Sequence, residues 1–366
     1  MDVHWRYIAA SRNSYAALYA ACEQEGFILD PVDSPVGDVT CYSLNSLNAP
    51  RYLKEIRDAP CITILGGPHA SAYPAEMTGI ADYVVVGEGE FVLPGLLRSL
   101  QERRPPPPGV ATTSGYNTPD TSVRLDAYPP FTKMKGYIEI SRGCPFGCTY
   151  CQTPRIFGTR MRHRGIDTIT RFARRFRDAR FVTPNALAYG SNGINPRPDK
   201  VKALLSSLQH EKQRIYFGTF PSEVRPEWVT RETLDLIVTY CDNKRLHFGA
   251  QSGSNRVLSS LCRGHTVEDV VHAVELCEEY GLTPVVDCIV AIPGEDDEDQ
   301  LSTARLIQWI SSRGTVHVHR FLPLPGTPLE KTSPRSILPE VERLLGSLAL
   351  SGKVTGSWGN PTRRFF

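Results

Sequence analysis

The chain has 366 residues, with 41 Lys and Arg against 39 Asp and Glu, a formal charge of +2. So even a balance argues against a dedicated polyanion binder, because sequence-independent nucleic-acid affinity comes from uncompensated cations. A hydrophobic share of 41% and a charged share of 22% describe an ordinary globular chain of roughly two to three domains. No apolar run approaches the roughly 20 residues that span a bilayer, so no membrane association is expected. The first residues carry no basic stretch followed by an apolar core, so no secretory signal is read and a cytoplasmic location is expected.

Short apolar runs and amphipathic stretches alternate through the first hundred residues. Strands are predicted at 6–10, 39–44, 61–65 and 83–86, and helices at 14–25, 51–57 and about 91–103. Two of the strands end in glycine: Gly66-Gly67-Pro68-His69 and Gly87-Glu88-Gly89. Such alternation implies an open, Rossmann-like parallel sheet with helices on both faces. Ligands of such sheets sit beyond the carboxyl ends of the strands. Four prolines at 105–108 favour a stiff extended segment. Residues 1–108 are therefore read as the first domain and 109–132 as a linker.

From Tyr137 the alternation resumes, with strands predicted at 137–141, 185–189, 214–218, 245–250, 284–290 and 315–321. Six βα units fall short of the eight that close a barrel, so residues 133–330 are read as a partial (β/α)6 barrel. Residues 331–366 form a small C-terminal extension with a helix near 338–350. The fold class is α/β.

Seven of the ten cysteines stand singly among apolar residues and read as small core side chains. Cys144, Cys148 and Cys151 do not: they form Cys-x3-Cys-x2-Cys directly after a predicted strand. Thiolates are soft ligands for zinc or iron–sulfur centres. A structural zinc would need a fourth ligand, and His163 or Cys241 could supply it. Three thiolates on a [4Fe–4S] cluster, which usually takes four, would leave one iron open for chemistry.

This loop resembles the signature of the radical S-adenosylmethionine (SAM) enzymes, with the aromatic Tyr150 before the last cysteine. The resemblance runs over roughly 130–330 and implies that SAM chelates the open iron. It also implies SAM contacts at Tyr150, at Gly190 and Ser191, at Ser222 and Glu223, at Gln251 and Ser252, at Arg263 and at Ile292. Gln251 and Ser252 lie in Gly-Ala-Gln-Ser-Gly-Ser, similar to a family motif, and Arg263 looks like the arginine that pairs with the SAM carboxylate. The glycine turn at 190 lacks the acidic residue usual in the family.

The first domain looks like the cobalamin-binding domain fused to many of these enzymes. By that likeness the cobalamin pocket is lined by Ser11, Arg12 and Asn13, by Ser43, Leu44 and Asn45, by Gly66, Gly67, Pro68 and His69, and by Gly87, Glu88 and Gly89. The family's Asp-x-His-x-x-Gly is replaced by Ser11-Arg12-Asn13-Ser14, so cobalamin is expected without a histidine lower ligand. The whole chain thus resembles the cobalamin-dependent radical SAM methyltransferases. That implies a 5′-deoxyadenosyl radical, methylcobalamin as methyl donor, and methylation of an unactivated sp3 carbon. The compact chain is similar to archaeal members that methylate a glutamine of methyl-coenzyme M reductase. A peptide or protein substrate, a flavodoxin- or ferredoxin-type electron donor and a monomer are expected, with nucleic acid unlikely as a partner.

Two alternatives keep the barrel. A methylthiotransferase would need a second cluster, and Cys22, Cys41 and Cys61 number three, but they fall inside a predicted helix and within or at the start of strands. No RNA-binding barrel is read after Pro328 either. A cyclase or rearrangement enzyme would bind cobalamin as a spectator. Nine arginines lie between 155 and 180. Helical spacing of Ile166, Ile169, Ala173 and Phe176 turns the later ones outward, and Arg155 to Arg164 could line the mouth of the site. His317 and His319 alternate along a strand, with core and barrel-lining roles both open.

Overall fold

A computed structural model describes residues 1–118, 123–210 and 213–359. The chain divides into two compact units. The first holds Met1–Glu139 with Gln152–Gly158 and Arg162–Thr168, and the second holds Ile140–Cys151, Thr159–Met161 and the chain from Ile169 onward. Among the described residues no helix is long and apolar enough to cross a membrane.

The first unit runs β1 (Val3–Arg6), α1 (Arg12–Gln24), β2 (Asp30–Val32), β3 (Val39–Ser43), α2 (Ala49–Arg57), β4 (Ile62–Gly66), the short α3 (Pro68–Ala72) and α4 (Pro74–Met77), β5 (Tyr83–Val85), α5 (Gly89–Glu102) and β6 (Val110–Ala111). The strand order is β2-β1-β3-β4-β5-β6, parallel except for β6. That is the flavodoxin-like 2-1-3-4-5 order, whose crevice opens where the connections reverse, between β1 and β3. Side chains alternate across the sheet. Trp5, Cys41 and Ile64 pack on one face with Tyr15, Cys22 and Leu96. Tyr42, Leu65 and Val84 pack on the other with Ile56 and Met77.

Three sequence expectations shift here. The first strand is Val3–Arg6 and not 6–10, because Ala9–Ser11 closes a 3-10 turn in which Ser11 Oγ donates to Ile8 O at 3.0 Å. β2 was not anticipated, since it runs through Pro31, which an edge strand tolerates. The linker is not a free connection: Val110–Ala111 pairs with β5, and Val123 and Tyr128 pack on Ala21 of α1. Its residues 119–122 lie outside the described residues.

After β7 (Ile138–Glu139) come β8 (Ser141–Arg142), α6 (Thr153–Phe157), β9 (Arg162–His163) and α7 (Ile166–Ala173). The wall of the second unit follows: β10 (Asp178–Val182), α8 (Pro198–Ser207), β11 (Arg214–Tyr216), α9 (Arg231–Tyr240), β12 (Arg245–Gln251), α10 (Asn255–Ser260), α11 (Val267–Glu279), β13 (Thr283–Val290), α12 (Asp297–Ser311), β14 (Thr315–Arg320), α13 (Pro339–Leu350) and β15 (Val354–Ser357). Its strands neighbour one another in chain order and run parallel. Ile140 N donates to Val182 O, and His247 N to Gly218 O, which links the pieces into one partial barrel wall.

The second strand is 178–182 and not 185–189. Pro184 has no amide hydrogen for a ladder, and the apolar run behind it, Ala186–Ala188, is a buried 3-10 turn. The extension contributes β15 to the wall beside β14, which the sequence did not suggest; residues 360–366 lie outside the described residues. α7 stops at Ala173, short of Phe176.

Candidate active site

The Cys144–Cys151 loop leaves β8 through Gly143, whose φ of 87° only glycine adopts without strain. The rest of the second unit braces it. Thr149 N donates to Leu261 O at 3.1 Å, and Leu329 N to Thr149 O at 3.4 Å. The Arg225 guanidinium lies 3.5 Å from the Phe146 ring centre, pairs with Glu227 and donates to Arg263 O. Cys148 is buried, and Cys144 and Cys151 are half-buried. Burial pushes the Cys144 thiol up, and the charges of Cys151 and Cys148 add to that. Arg263 Nη1 lies 3.9 Å from Cys148 Sγ, a cation of the kind that favours a thiolate. Among the described residues no three His, Cys, Asp or Glu side chains form a ready-made metal cage. As a donor set, three thiols on one short loop beside an arginine fit an iron–sulfur cluster with one open iron.

The residues expected to hold SAM divide into two groups. Gly249, Gln251 and Arg263 converge: a Cβ on Gly249 would overlap the Gln251 amide and stand 3.1 Å from Arg263 Nη2. The missing side chain at 249 lets the guanidinium cross β12 and donate to Gly249 O at 3.1 Å. Arg263 Nε is buried without a partner. Tyr150 faces Arg263, although burial pushes its phenol up to about 12. Tyr150 also packs with Ile292, Ile289 and Leu329 in an apolar cluster. Gln251 and Ala291, at the ends of β12 and β13, both have positive φ, 68° and 64°.

The serines form the second group. Ser191 Oγ donates to Ala188 O and accepts from Gly193 N. Ser222 Oγ donates to Thr219 O, and Ser252 Oγ meets Thr303 Oγ1 at 3.2 Å. Their hydroxyls hold turns together. Gly190, with φ of 75°, turns its open side toward Lys200. Gly193 does more: a Cβ there would come within 2.7 Å of Pro145, so this turn packs directly on the cysteine loop. Burial pushes the Glu223 carboxyl up, and burial with the charge of Glu223 pushes Asp287 up.

The sequence reading missed several residues of this region. His265 is buried and held neutral, its pKa lowered to about 3 by burial and by Arg263 and Arg225. Asn185 is 5% exposed, and neither side-chain amide atom has a partner. Asp287 is an acid on a strand of Val, Cys and Ile. The one signal for it was its place in the alternation, with Val285 and Ile289, on the face turned from the helices.

In the first unit the residues expected to line the cobalamin pocket lie at the carboxyl ends of the strands, in the loops leaving them, or in the first turn of the helix that follows. Leu44 N donates to Gly66 O and His69 N to Leu44 O. Gly67 presses on this turn: a Cβ would stand 2.6 Å from Leu44 O and 2.9 Å from Ser43 Oγ. So Gly67 serves a backbone approach within the protein itself. Asn45 Oδ1 caps the amides of Leu47 and Asn48. His69 Nδ1 is 3.4 Å from Ser46 Oγ, and burial lowers its pKa. Pro68 begins α3, Gly87 N donates to Ser71 Oγ and Gly89 begins α5. Arg12 Nε donates to Lys135 O, and Asn13 Oδ1 accepts from Tyr137 N. The Glu88 carboxylate is fully buried and takes Arg162 Nη1 at 2.8 and 3.0 Å. Arg164 donates to Tyr128 O and Glu139 O. Arg162 and Arg164, read as possible mouth residues, are thus internal clamps of the first unit.

These elements make a partial barrel of parallel strands in chain order, with a three-cysteine loop beside its first strands. Residues 138–307 match the family model described as the radical SAM superfamily, so this stretch is a radical SAM domain. Such a domain implies a [4Fe–4S] cluster and SAM. Among solved structures the chain is similar to TsrM of Kitasatospora setae, a radical SAM methyltransferase solved with cobalamin and [4Fe–4S] bound. The TM-score is 0.69 at 17% identity, over 90% of this chain and 74% of that one. It is also similar to the cobalamin-dependent SAM radical enzyme OxsB, with TM-score 0.66 at 16% identity, over 99% of this chain and 60% of that one. At these identities the likeness is one of fold. By sequence it resembles a tRNA-2-methylthio-N(6)-dimethylallyladenosine synthase of Sulfurihydrogenibium, 29% identical over 56% of this chain and 47% of the relative. The chain spans about half the length of the curated relatives it matches.

Proposed function

We propose that the protein is a cobalamin-dependent radical SAM C-methyltransferase acting on an unactivated sp3 carbon of a peptide or protein. When bound, the cluster and SAM would supply a carbon-centred radical and cobalamin the methyl group. Cys144, Cys148 and Cys151 would hold the cluster, with Arg263 crossing Gly249 to meet the SAM carboxylate. Tyr150, Ile289 and Ile292 would give the adenine an apolar floor. The carboxyl edge of the first sheet would take cobalamin, with Gly67 and Leu44 shaping the turn beneath it. A flavodoxin- or ferredoxin-type protein would deliver the electron.

One observation favours this reading over a methylthiotransferase. Cys22 and Cys41 are buried in the core on α1 and β3, and Cys61 precedes β4 at its amino end. Burial raises the first two thiols well above their ordinary value. These three do not form a second thiolate set at the carboxyl edge. The rival reading is supported by the sequence relatives. Anaerobic reconstitution with iron, sulfide and hydroxocobalamin separates the two. About four irons and one cobalt per chain are expected, while about eight irons without cobalt would transfer the proposal to methylthiolation. With substrate, C-methylation yields both S-adenosylhomocysteine and 5′-deoxyadenosine, whereas rearrangement yields the second alone. A glutamine-bearing peptide of methyl-coenzyme M reductase is the first substrate to try, read by mass spectrometry for an added methyl.

A further inference from the structure

Phe146 lies midway between Cys144 and Cys148, and its ring is held from outside the cysteine loop. The Arg225 guanidinium lies 3.5 Å from the ring centre. Gly264 has φ of 75°, and a Cβ there would stand 3.4 Å from Phe146 Cε1 and 3.5 Å from Arg225 Nη2. Ring and guanidinium thus meet over a glycine. The turn that carries this glycine follows the loop residue by residue. Leu261 O accepts from Thr149 N at 3.1 Å, Cys262 O lies 3.7 Å from Cys148 Sγ, and Arg263 O accepts from Arg225.

Arg225 itself has little freedom. It is 4% exposed. Pro226 after it restricts its backbone to the extended region, where it lies at φ −92° and ψ 141°. Val224 before it pairs with Phe248 of β12, and Arg225 O accepts from Trp228 N at 3.1 Å. The guanidinium pairs with Glu227, whose other carboxylate oxygen stands 3.8 Å from Nδ1 of the neutral His265. The Arg263 guanidinium is turned elsewhere, to Gly249 O and Cys148 Sγ. One cation and one carboxylate therefore stand behind Phe146. A stacked guanidinium is a planar contact that an ammonium does not reproduce, and a buried charge is screened far less than a surface one.

We infer that Arg225 is a positioning residue for the cluster. Its guanidinium clamps Phe146 and so fixes the loop of Cys144, Cys148 and Cys151, and its charge, opposed by Glu227, raises the potential at which the cluster is reduced. The step concerned is the arrival of one electron from a flavodoxin- or ferredoxin-type protein. It adds one negative charge to the cluster and oxidises the donor by one electron, and no bond forms or breaks. A nearby cation favours the more negative state, and a nearby carboxylate opposes it. The charge effect rests on the proposed cluster; the clamp does not.

The experiment compares the full chain with Arg225→Lys, Arg225→Met, Glu227→Gln and Phe146→Leu. In the metal-free proteins, hydrogen exchange of the peptide 143–151 is read by mass spectrometry. It should be faster than in the parent in Phe146→Leu, Arg225→Lys and Arg225→Met, which lose the stacked contact, with exchange in β13 unchanged. In the reconstituted proteins, the midpoint potential is read by electron paramagnetic resonance during an anaerobic redox titration. Arg225→Met should lower it and Glu227→Gln should raise it. Arg225→Lys and Phe146→Leu keep both charges and should stay closer to the parent than either. A merely looser loop would shift all four variants the same way. Parent-like loop exchange in Phe146→Leu would overturn the clamp. A potential in Glu227→Gln no higher than in Phe146→Leu, or shifts of one sign in Glu227→Gln and Arg225→Met, would overturn the charge effect. Arg225→Met leaves the Glu227 carboxylate unpaired, so urea unfolding checks its fold, and the other variants carry both arms without it. Iron bound by the parent with variants indistinguishable from it defeats this inference alone. A parent that binds no iron defeats the methyltransferase reading and the charge effect, while the metal-free exchange still decides the clamp.

Discussion

Glu295 follows β13, is 5% exposed, and has a side-chain oxygen, Oε1, with no partner. Burial pushes its pKa from 4.5 up to about 7. A carboxyl raised in the fold stabilises the fold below its ordinary pKa, and that contribution is lost as pH rises through the folded value. Glu295→Gln should therefore match the parent near pH 4 and exceed it at pH 8 by about 1–2 kcal/mol. Urea unfolding at both pH values measures this, and a variant less stable at pH 8 would contradict it. Gly67 has φ of 94° and its open side lies against the Leu44 backbone, so Gly67→Ala should cost about 1–3 kcal/mol, read as a lowered Tm. At this scale the three-cysteine loop stands out in the sequence because soft-metal chemistry favours such close spacing. Asp287 was not: one acid in a run of Val, Cys and Ile carries no spacing of its own. The hydroxyls of Ser191 and Ser222 bond within their own turns and that of Ser252 meets Thr303, a role a Ser after a strand takes readily.

Among the elements, β12, β13 and β14 fall within one residue of their expected bounds. In each, fully buried apolar residues alternate with less buried ones, which are mostly polar on β12 and β14 and include Asp287 on β13. β10 was displaced because its alternation is carried by two residues, Ala179 and Phe181, between charged neighbours. The stronger apolar run beyond Pro184 belongs to a turn. The Arg162–Glu88 pair ties β9 to the start of α5 inside the first unit, with side-chain exposures of 13% and 0%. Removing one partner of a buried pair strands the other charge. Arg162→Met alone should cost about 3–5 kcal/mol, and Arg162→Met with Glu88→Gln should recover much of it. If the double variant is no more stable than the single one, the pair is not the source of the loss. α12 begins with a capping box in which Asp296 accepts from Asp299 N, and Asp299 also takes Ser254 Oγ at 2.6 Å. The end of β12 and the start of α12 are thereby held together.

For the whole molecule, Cys144→Ala, Cys148→Ala and Cys151→Ala should each abolish bound iron and SAM cleavage together. Melting of the first unit should be unaffected, as followed by the fluorescence of buried Trp5. Cleavage retained without iron would refute the assignment of the loop. The two-unit plan was legible because glycine-ended strands and the cysteine loop mark separate sheets. The boundary was not: the proline run suggested a connector, while the residues after it return to pack on α1 and β5.

β15 contributes four residues to the sheet, pairing from Val316↔Val354 to His319↔Ser357. Its consequence is colloidal. Without it β14, paired with β13 on its other side, would present an open edge of unpaired backbone donors and acceptors, a template for association between copies. The short Val354–Ser357 strand replaces that edge with one holding Gly356, whose φ of 116° bends it out of regular pleat. A chain ending at Gly352 should keep its helices yet elute as oligomers, so the solubility of the barrel is set by a segment far from its chemistry.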